Sequence, residues 1–132
     1  GFFIPQSMEN NTERDKFAKS IGVQVIEASS DSAVCKLKIN ETHHNGLGLV
    51  NGGVLFTLGD YALAVAANAN GSQTVTLNST IDFIKSAKEG TLVAVATPIK
   101  AGRTISRYKV EIILEETSQL IAILNATSFT IV

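Results

Sequence analysis

The sequence predicts an α+β fold in which one long helix is held inside a curved antiparallel sheet. Two observations lead there. From Val54 to Ala67 the chain is apolar nearly all the way round a helix, and a helix apolar on every side is normally buried on every side. Around it lie segments of strand length, a pair before the helix and four after it, joined by short turns that favour antiparallel neighbours. A sheet that buries such a helix has to curl about it.

Taken in order, Asn10 or Asn11 can cap a short helix from about Thr12 to Ser20, with Glu13 in its first turn and Gly22 just past its end. Val23 to Ala28 reads as a strand, Ser29 to Ser32 as a turn, and Ala33 to Ile39 as the hairpin partner. In that partner Cys35, Leu37 and Ile39 alternate with Val34, Lys36 and Lys38, so one face is apolar. Asn40 to Val50 is a loop. The long helix runs from Gly52 or Gly53 to Asn68 and ends at Asn70-Gly71, a pair that accepts left-handed backbone.

Thr74 to Lys85 alternates, with Val75, Leu77, Ser79, Ile81 and Phe83 expected on one face. Thr91 to Ile99 is almost all apolar or small, as in a central strand. Thr104 to Leu114 sets Tyr108, Val110, Ile112 and Leu114 against Arg107, Lys109 and Glu111. Leu120 to Ile131 is the last strand. Turns are expected at Lys88-Glu89-Gly90, Lys100-Ala101-Gly102 and Glu116-Thr117-Ser118.

Composition narrows the function. The 132 residues are enough for one domain, 1–132, with residues 1–10 expected to be flexible or artificially added, since Gly1 stands where an initiator Met would be. Hydrophobic residues are 45% and charged residues 17%, which argues for a packed core and, with so few charges to solvate the surface, for a homo-oligomer. A net charge of -1 creates no field that would draw nucleic acid. The single cysteine, Cys35, has no partner for an internal disulfide and suits a reducing compartment. The Val54–Ala67 run is too short to span a membrane, and residues 1–11 lack the basic and long apolar regions of a secretion signal. The expected address is the cytoplasm.

One charge, Asp60, interrupts the apolar helix. A carboxylate there must reach water, find donors or stay protonated. Just upstream, Gly46, Gly48, Gly52 and Gly53 crowd into one short span. Together these residues match a pattern: Asn45, Gly48, Asn51, Gly52, Gly53, Leu58, Asp60 and Ala62 resemble the N-x-x-G-x-x-H-G-G-x-x-x-x-L-x-D-x-A signature of the hotdog-fold thioesterases, the branch that includes phenylacetyl-CoA thioesterase. Ile81-Asp82-Phe83, Ala87 and Gly90 resemble a later segment of the same family, with Ser86 in place of its proline, and Gly102-Arg103 resembles its Gly-Arg turn. The resemblance covers the chain from about residue 17 onward. One departure stands out: Asn51 replaces the family's histidine.

The resemblance implies a hotdog fold and hydrolysis of an acyl-CoA, with coenzyme A as part of the substrate and no cofactor or metal. It implies that the N–H of Gly52 points at the thioester oxygen, as a helix N-terminus with free N–H groups can. Asp60 would activate water or attack directly, facing Gly52 of another chain in a dimer or a dimer of dimers. Asn45 and Asn51 would lie near the substrate carbonyl, and Thr76 would help orient the water. Gly53, Lys100 and Arg103 would meet coenzyme A, the two cations through its phosphates.

Each assignment has a plainer counterpart. Asp60 could be a carboxylate satisfied by strand hydroxyls, the glycines could serve close packing, Asn45 could hold its loop, and Thr76 could be an ordinary strand residue. His43 and His44 read as solvated loop residues with no metal cluster around them, and Cys35 as core. No G-x-S-x-G elbow supports a serine hydrolase. The rival to turnover is a non-catalytic acyl-CoA-binding module, suggested by Asn51; a hydratase is disfavoured because its Asp-x-Asn-x-x-His arrangement is absent.

Overall fold

A computed structural model describes residues 15–131 of the chain. It opens with α1 (Lys16–Ser20), capped by the Asp15 side chain, which accepts a 3.0 Å bond from the Ala18 N–H. The helix therefore begins at Lys16 because Asp15 leaves helical geometry to cap it; the expected start at Thr12 and the Asn10 or Asn11 cap lie outside the described residues. Strands β1 (Gln24–Ser29) and β2 (Ser32–Lys38) form the expected hairpin, and a short 3₁₀ turn (Glu41–His43) leads into the glycine loop. Helix α2 (Gly52–Asn68) follows, then β3 (Thr74–Phe83), β4 (Thr91–Lys100), β5 (Ile105–Leu114) and β6 (Gln119–Thr130).

Among the described residues the six strands make one antiparallel sheet in the order β1-β2-β4-β5-β6-β3. Helix α2 touches every one of them, packing Leu55, Leu58, Ala62, Leu63, Val65 and Ala66 onto the inward faces of Cys35, Leu37, Leu92, Val110, Ile112 and Leu124. Burying one such side chain is worth about 1.5–3 kcal/mol, so this helix–sheet contact is the main source of cohesion. Gly59 makes the approach possible: a Cβ there would already stand 3.2 Å from Leu124 Cδ1. The expected α+β class is observed, and it is the hotdog fold.

Two expectations need correction. The four strands after the helix are not a simple meander. β3 pairs with β6 at one edge of the sheet, while β4 pairs with β2 and β5. Residues 84–90 are thus a crossover, tied down by Ile84 and Lys85 N–H bonds to the Ile121 carbonyl and by the buried Ala87, whose carbonyl accepts from Val50 N–H at 2.9 Å. The faces of β3 also differ from the alternation. The register slips between Thr76 and Asn78, so that Thr76 pairs with the buried Ser128 and Ser79 with the buried Ala126. Opposed residues share a face; Thr76, Ser79 and Ile81 therefore look toward the helix, whereas Val75, opposite Phe129, looks away. The bulge at Leu77 breaks the period of two that the sequence shows.

Smaller details agree with the sequence. Asn68 closes α2, donating to the Ala64 carbonyl at 2.7 Å while accepting from Thr74 N–H at 2.9 Å, and Gly71 turns the chain with φ of +89°. The Gly102-Arg103 turn has a steric reason. A Cβ at Gly102 would fall 2.0 Å from the backbone oxygen of Ile105, a contact that only backbone movement could relieve. Gly102→Ala should therefore cost about 1–3 kcal/mol, the usual scale of forced overpacking, read as a fall in Tm; an unchanged Tm would mean that this turn is free to relax.

Candidate functional site

The site is assembled at the start of α2. Asn51 is its N-cap, with Oδ1 accepting from Gly53 N–H at 2.7 Å. The Asn51 carbonyl accepts from Val54 N–H at 3.0 Å and from Leu55 N–H at 3.4 Å. A helix begins with four N–H groups that lack partners inside it. Asn51 serves three of them, and the Gly52 N–H is the one left over, with no acceptor among the described residues. This free donor sits at the positive end of the helix. The tip of the Phe83 ring lies beside it, 3.0 Å from where a Gly52 Cβ would be.

The loop that holds Asn51 in place is anchored by a histidine. His43 is buried, not solvated as its loop position suggested. Its Nδ1 accepts from Asn40 N–H at 3.0 Å, which fixes the proton on Nε2, and that N–H donates to the Ile21 carbonyl at 2.7 Å. The His43 carbonyl in turn accepts from Asn51 N–H at 2.8 Å. His44 is half-buried, with Nε2 2.8 Å from the Lys88 carbonyl oxygen. Among the described residues no cluster of His, Cys, Asp or Glu could hold a metal ion. Asn45 holds its loop: Oδ1 accepts from Leu47 N–H at 2.9 Å and from Leu49 N–H at 3.2 Å, so only its Nδ2 is left to offer.

Helix α2 is not covered all round by the described residues, contrary to the burial on every side that its composition suggested. Gly53, Phe56, Thr57, Asp60 and Ala64, which recur at helical spacing, form a stripe that is exposed or half-buried. Asp60 stands in the middle of it. Burial pushes its carboxyl above the usual range, and the neighbouring Asp15 carboxylate pushes it further the same way; no hydrogen bond from a described residue offsets either effect. The stripe also borders a cleft between α1 and α2, of about 420 Å³, lined by Phe17 and Ile21 on one side and Val54 and Phe56 on the other.

The other expected residues lie farther off. Thr76 is exposed on the edge strand β3, on the helix-facing side. Lys100 and Arg103 are exposed at the β4–β5 turn, without an ion pair among the described residues. Gly53 has its N–H occupied by Asn51, leaving a surface without a side chain. Cys35 is fully buried, and burial raises its thiol to about 12, which makes it an inert core residue. Reasoning from the sequence did not single out Asp15, Phe17 or Phe56. Phe56 was findable, being one turn before Asp60; the others depend on where α1 docks.

Residues 47–121, more than half of the chain, match the family model described as thioesterase superfamily. The chain is 33% identical over 105 residues to the acyl-coenzyme A thioesterase PaaI of Escherichia coli, covering 79% of this chain and 75% of that one. The structure of the E. coli PaaI protein from the phenylacetic acid degradation operon overlays on it with a TM-score of 0.91 at 30% identity, covering 96% and 92% of the two chains. A thioesterase protein of Streptococcus pneumoniae, solved with coenzyme A, overlays with a TM-score of 0.83 at 25% identity, covering 90% and 95%.

The raised Asp60 carboxyl makes stability depend on pH. A group whose acid form is favoured by folding opposes folding once ionised. That opposition is absent below the ordinary carboxylate pKa of about 4 and complete above the raised folded value. Asp60→Asn should accordingly raise Tm at neutral pH, and the gain should shrink as the pH falls and vanish below about pH 4. Parallel melts of the two proteins across pH check this; a neutral-pH loss of stability would show that the carboxylate is held by favourable contacts.

Proposed function

Since the chain belongs to the thioesterase superfamily and is a thioester hydrolase, we propose that it cleaves an acyl-CoA with Asp60 as base or nucleophile and the Gly52 N–H as oxyanion donor. The observation that carries this reading is the selective capping by Asn51, which satisfies three N–H groups of the first turn and leaves Gly52 free. A preorganised donor at a helix start is worth most where negative charge develops in the transition state. Asp60, raised by burial on the open stripe of the same helix, is nearer to the working range of a general base than an ordinary carboxylate.

The spacing of the two groups supports a shared site. Gly52 and Asp60 are eight residues apart on one helix, about 12 Å along its axis at a rise of about 1.5 Å per residue. A thioester carbonyl needs its oxygen about 3 Å from the donor and its carbon about 3–3.5 Å from the attacking atom, so one copy of α2 cannot supply both. Two copies with their open stripes facing and antiparallel would set Asp60 of each against Gly52 of the other. The sheet edge supports such pairing: among the described residues β3 has no neighbour on its outer side, and it exposes Val75, Leu77 and Phe83. The proposed enzyme is a homodimer or a dimer of dimers.

Within this site Asn51 and Asn45 would offer their Nδ2 groups to the carbonyl region, since both Oδ1 atoms are engaged. Thr76 would orient the attacking water, and Arg103 and Lys100 would meet the phosphates of coenzyme A, with Gly53 leaving room for the thioester arm. No metal or redox cofactor is required. A lone, buried Cys35 is compatible with a cytoplasmic address, and no helix among the described residues is long and apolar enough to cross a membrane.

Two substitutions test the chemistry without dismantling the fold. Asp60→Asn keeps shape and hydrogen bonding but cannot act as base or nucleophile, and kcat should fall by about a hundredfold or more. Gly52→Pro deletes the proposed donor at the helix position that tolerates proline best, after an Asn51 whose φ of −64° and ψ of 136° suit a following proline; its loss should cost about 10²–10³ in kcat. Full kcat in either variant would sink the mechanism.

Co-expressing those two inactive chains tests the shared site. A mixed dimer contains one intact pair, Asp60 from one chain and Gly52 from the other, and should recover activity. A mixed dimer of the double mutant with the parent chain, purified away from parent homodimers, has no intact pair and should not. The opposite outcome would place Asp60 and Gly52 in the same chain's site.

A further inference from the structure

We propose that His43 is a positioning residue for the reaction: its uncharged ring, bridging two elements, fixes the backbone that aims the Gly52 N–H. The inference rests on the reading of Gly52 as oxyanion donor and deepens it. His43 touches no reacting atom, and its effect passes through the cap residue Asn51.

The donor has no side chain to steer it. A backbone N–H points where its peptide plane points, and the plane before Gly52 includes the carbonyl of Asn51. Three bonds at Asn51 run forward into α2, from the N–H groups of Gly53, Val54 and Leu55, and these would move with the helix. The bond that ties Asn51 itself to the preceding loop runs from its N–H to the His43 carbonyl, at 2.8 Å. Val50, one residue earlier, is held separately by the Ala87 carbonyl.

How firmly the His43 carbonyl stands depends on the ring. The residue is 2% exposed. Nδ1 accepts from Asn40 N–H at 3.0 Å, three residues back, and closes the capping box of the 3₁₀ turn. Nε2 lies 2.7 Å from the carbonyl oxygen of Ile21, the residue that closes α1. Other side chains of the loop bond elsewhere. Asn40 and Asn45 bond within the loop, His44 to the Lys88 carbonyl, and Asn51 to the first turn of α2. Among the described residues, His43 is therefore the loop's hydrogen-bonded link to α1.

The bridge needs a histidine in one state. Nδ1 must be a bare acceptor and Nε2 a donor, which only the neutral ring protonated on Nε2 supplies. An asparagine reproduces the reach of Nδ1 and a glutamine that of Nε2; neither spans both. Cutting the link to Ile21 would leave the turn closed locally but free to shift against α1. A displacement of about 1 Å in a catalytic constellation can cost about 10²-fold in rate, and a loosened turn should cost part of that.

The test compares His43→Asn, which cuts the link to Ile21, with His43→Gln, which keeps it, each alone and combined with Gly52→Pro. Both substitutions leave an amide in the turn, and kcat is referred to the folded fraction found in parallel melts. His43→Asn should lower kcat about tenfold with KM within about threefold, because the donor acts on charge that develops in the transition state. His43→Gln should stay within about threefold of the parent kcat. Where Gly52→Pro has already removed the donor, His43→Asn should lower kcat no further, since residues acting as one unit are not additive.

A residue that merely holds the fold would lower Tm and leave the kcat of folded protein intact. That outcome, equal kcat in the two His43 variants, or the same factor with and without the Gly52 donor would overturn the assignment while the Gly52 reading stands. If Gly52→Pro itself keeps full kcat, the donor reading fails and this inference falls with it.

Discussion

The way Asn51 caps α2 governs the rest of the candidate site. A capping residue can satisfy any of several first-turn donors, and which one it omits decides what the helix end can bind. Here the side chain takes Gly53 N–H and the carbonyl takes Val54 and Leu55 N–H, so the field and the free donor coincide at Gly52. The cap is itself positioned: Asn51 N–H bonds to the His43 carbonyl, and His43 is locked by its two ring nitrogens between Asn40 and Ile21. The end of α1, the histidine turn and the helix start thus behave as one hydrogen-bonded unit. A residue that departs from the family pattern, Asn in place of His, performs the capping through an acceptor oxygen and still leaves an amide donor for other use.

Asp60 shows the opposing demands on the same helix. The fold needs α2 apolar so that it can lie against all six strands, and a carboxylate on it costs stability as soon as it ionises. The cost is limited because Asp60 sits on the stripe that the sheet does not reach, and it is sustained because Asp15 approaches from the other side. The same burial that costs stability holds the carboxyl above its ordinary range.

The strand order accounts for the exposed edge. Because the chain crosses from β3 to β4, β3 is left as an outer strand, its far side unpaired among the described residues. The bulge at Leu77 turns Thr76 and Ser79 toward the helix and Val75 away from it. Ser79 Oγ is buried without a hydrogen-bond partner among the described residues, so the face of β3 beside the open helix stripe carries polar groups that a lone chain leaves partly unsatisfied.

Local pattern determined a great deal of this protein. The all-round apolar run fixed α2 and its burial against the sheet, though not the stripe that stays open, the alternation in β2 and β5 fixed their inward faces, and the glycine-asparagine signature placed Asn51, Gly52 and Asp60 in relation to one another, because helix geometry converts spacing directly into position. The tertiary structure decided what depends on distant partners. It alone put β3 next to β6, since pairing is chosen between strands far apart in sequence and a crossover looks like any other loop. It alone reversed the face of Val75, since a bulge shifts register without changing composition. It buried His43 against Ile21, a contact 22 residues away, and brought Asp15 and Phe17 of α1 alongside the start of α2. Position along one element is legible from sequence because the backbone repeats; proximity between elements is not, because it is settled by which surfaces exclude the most water together.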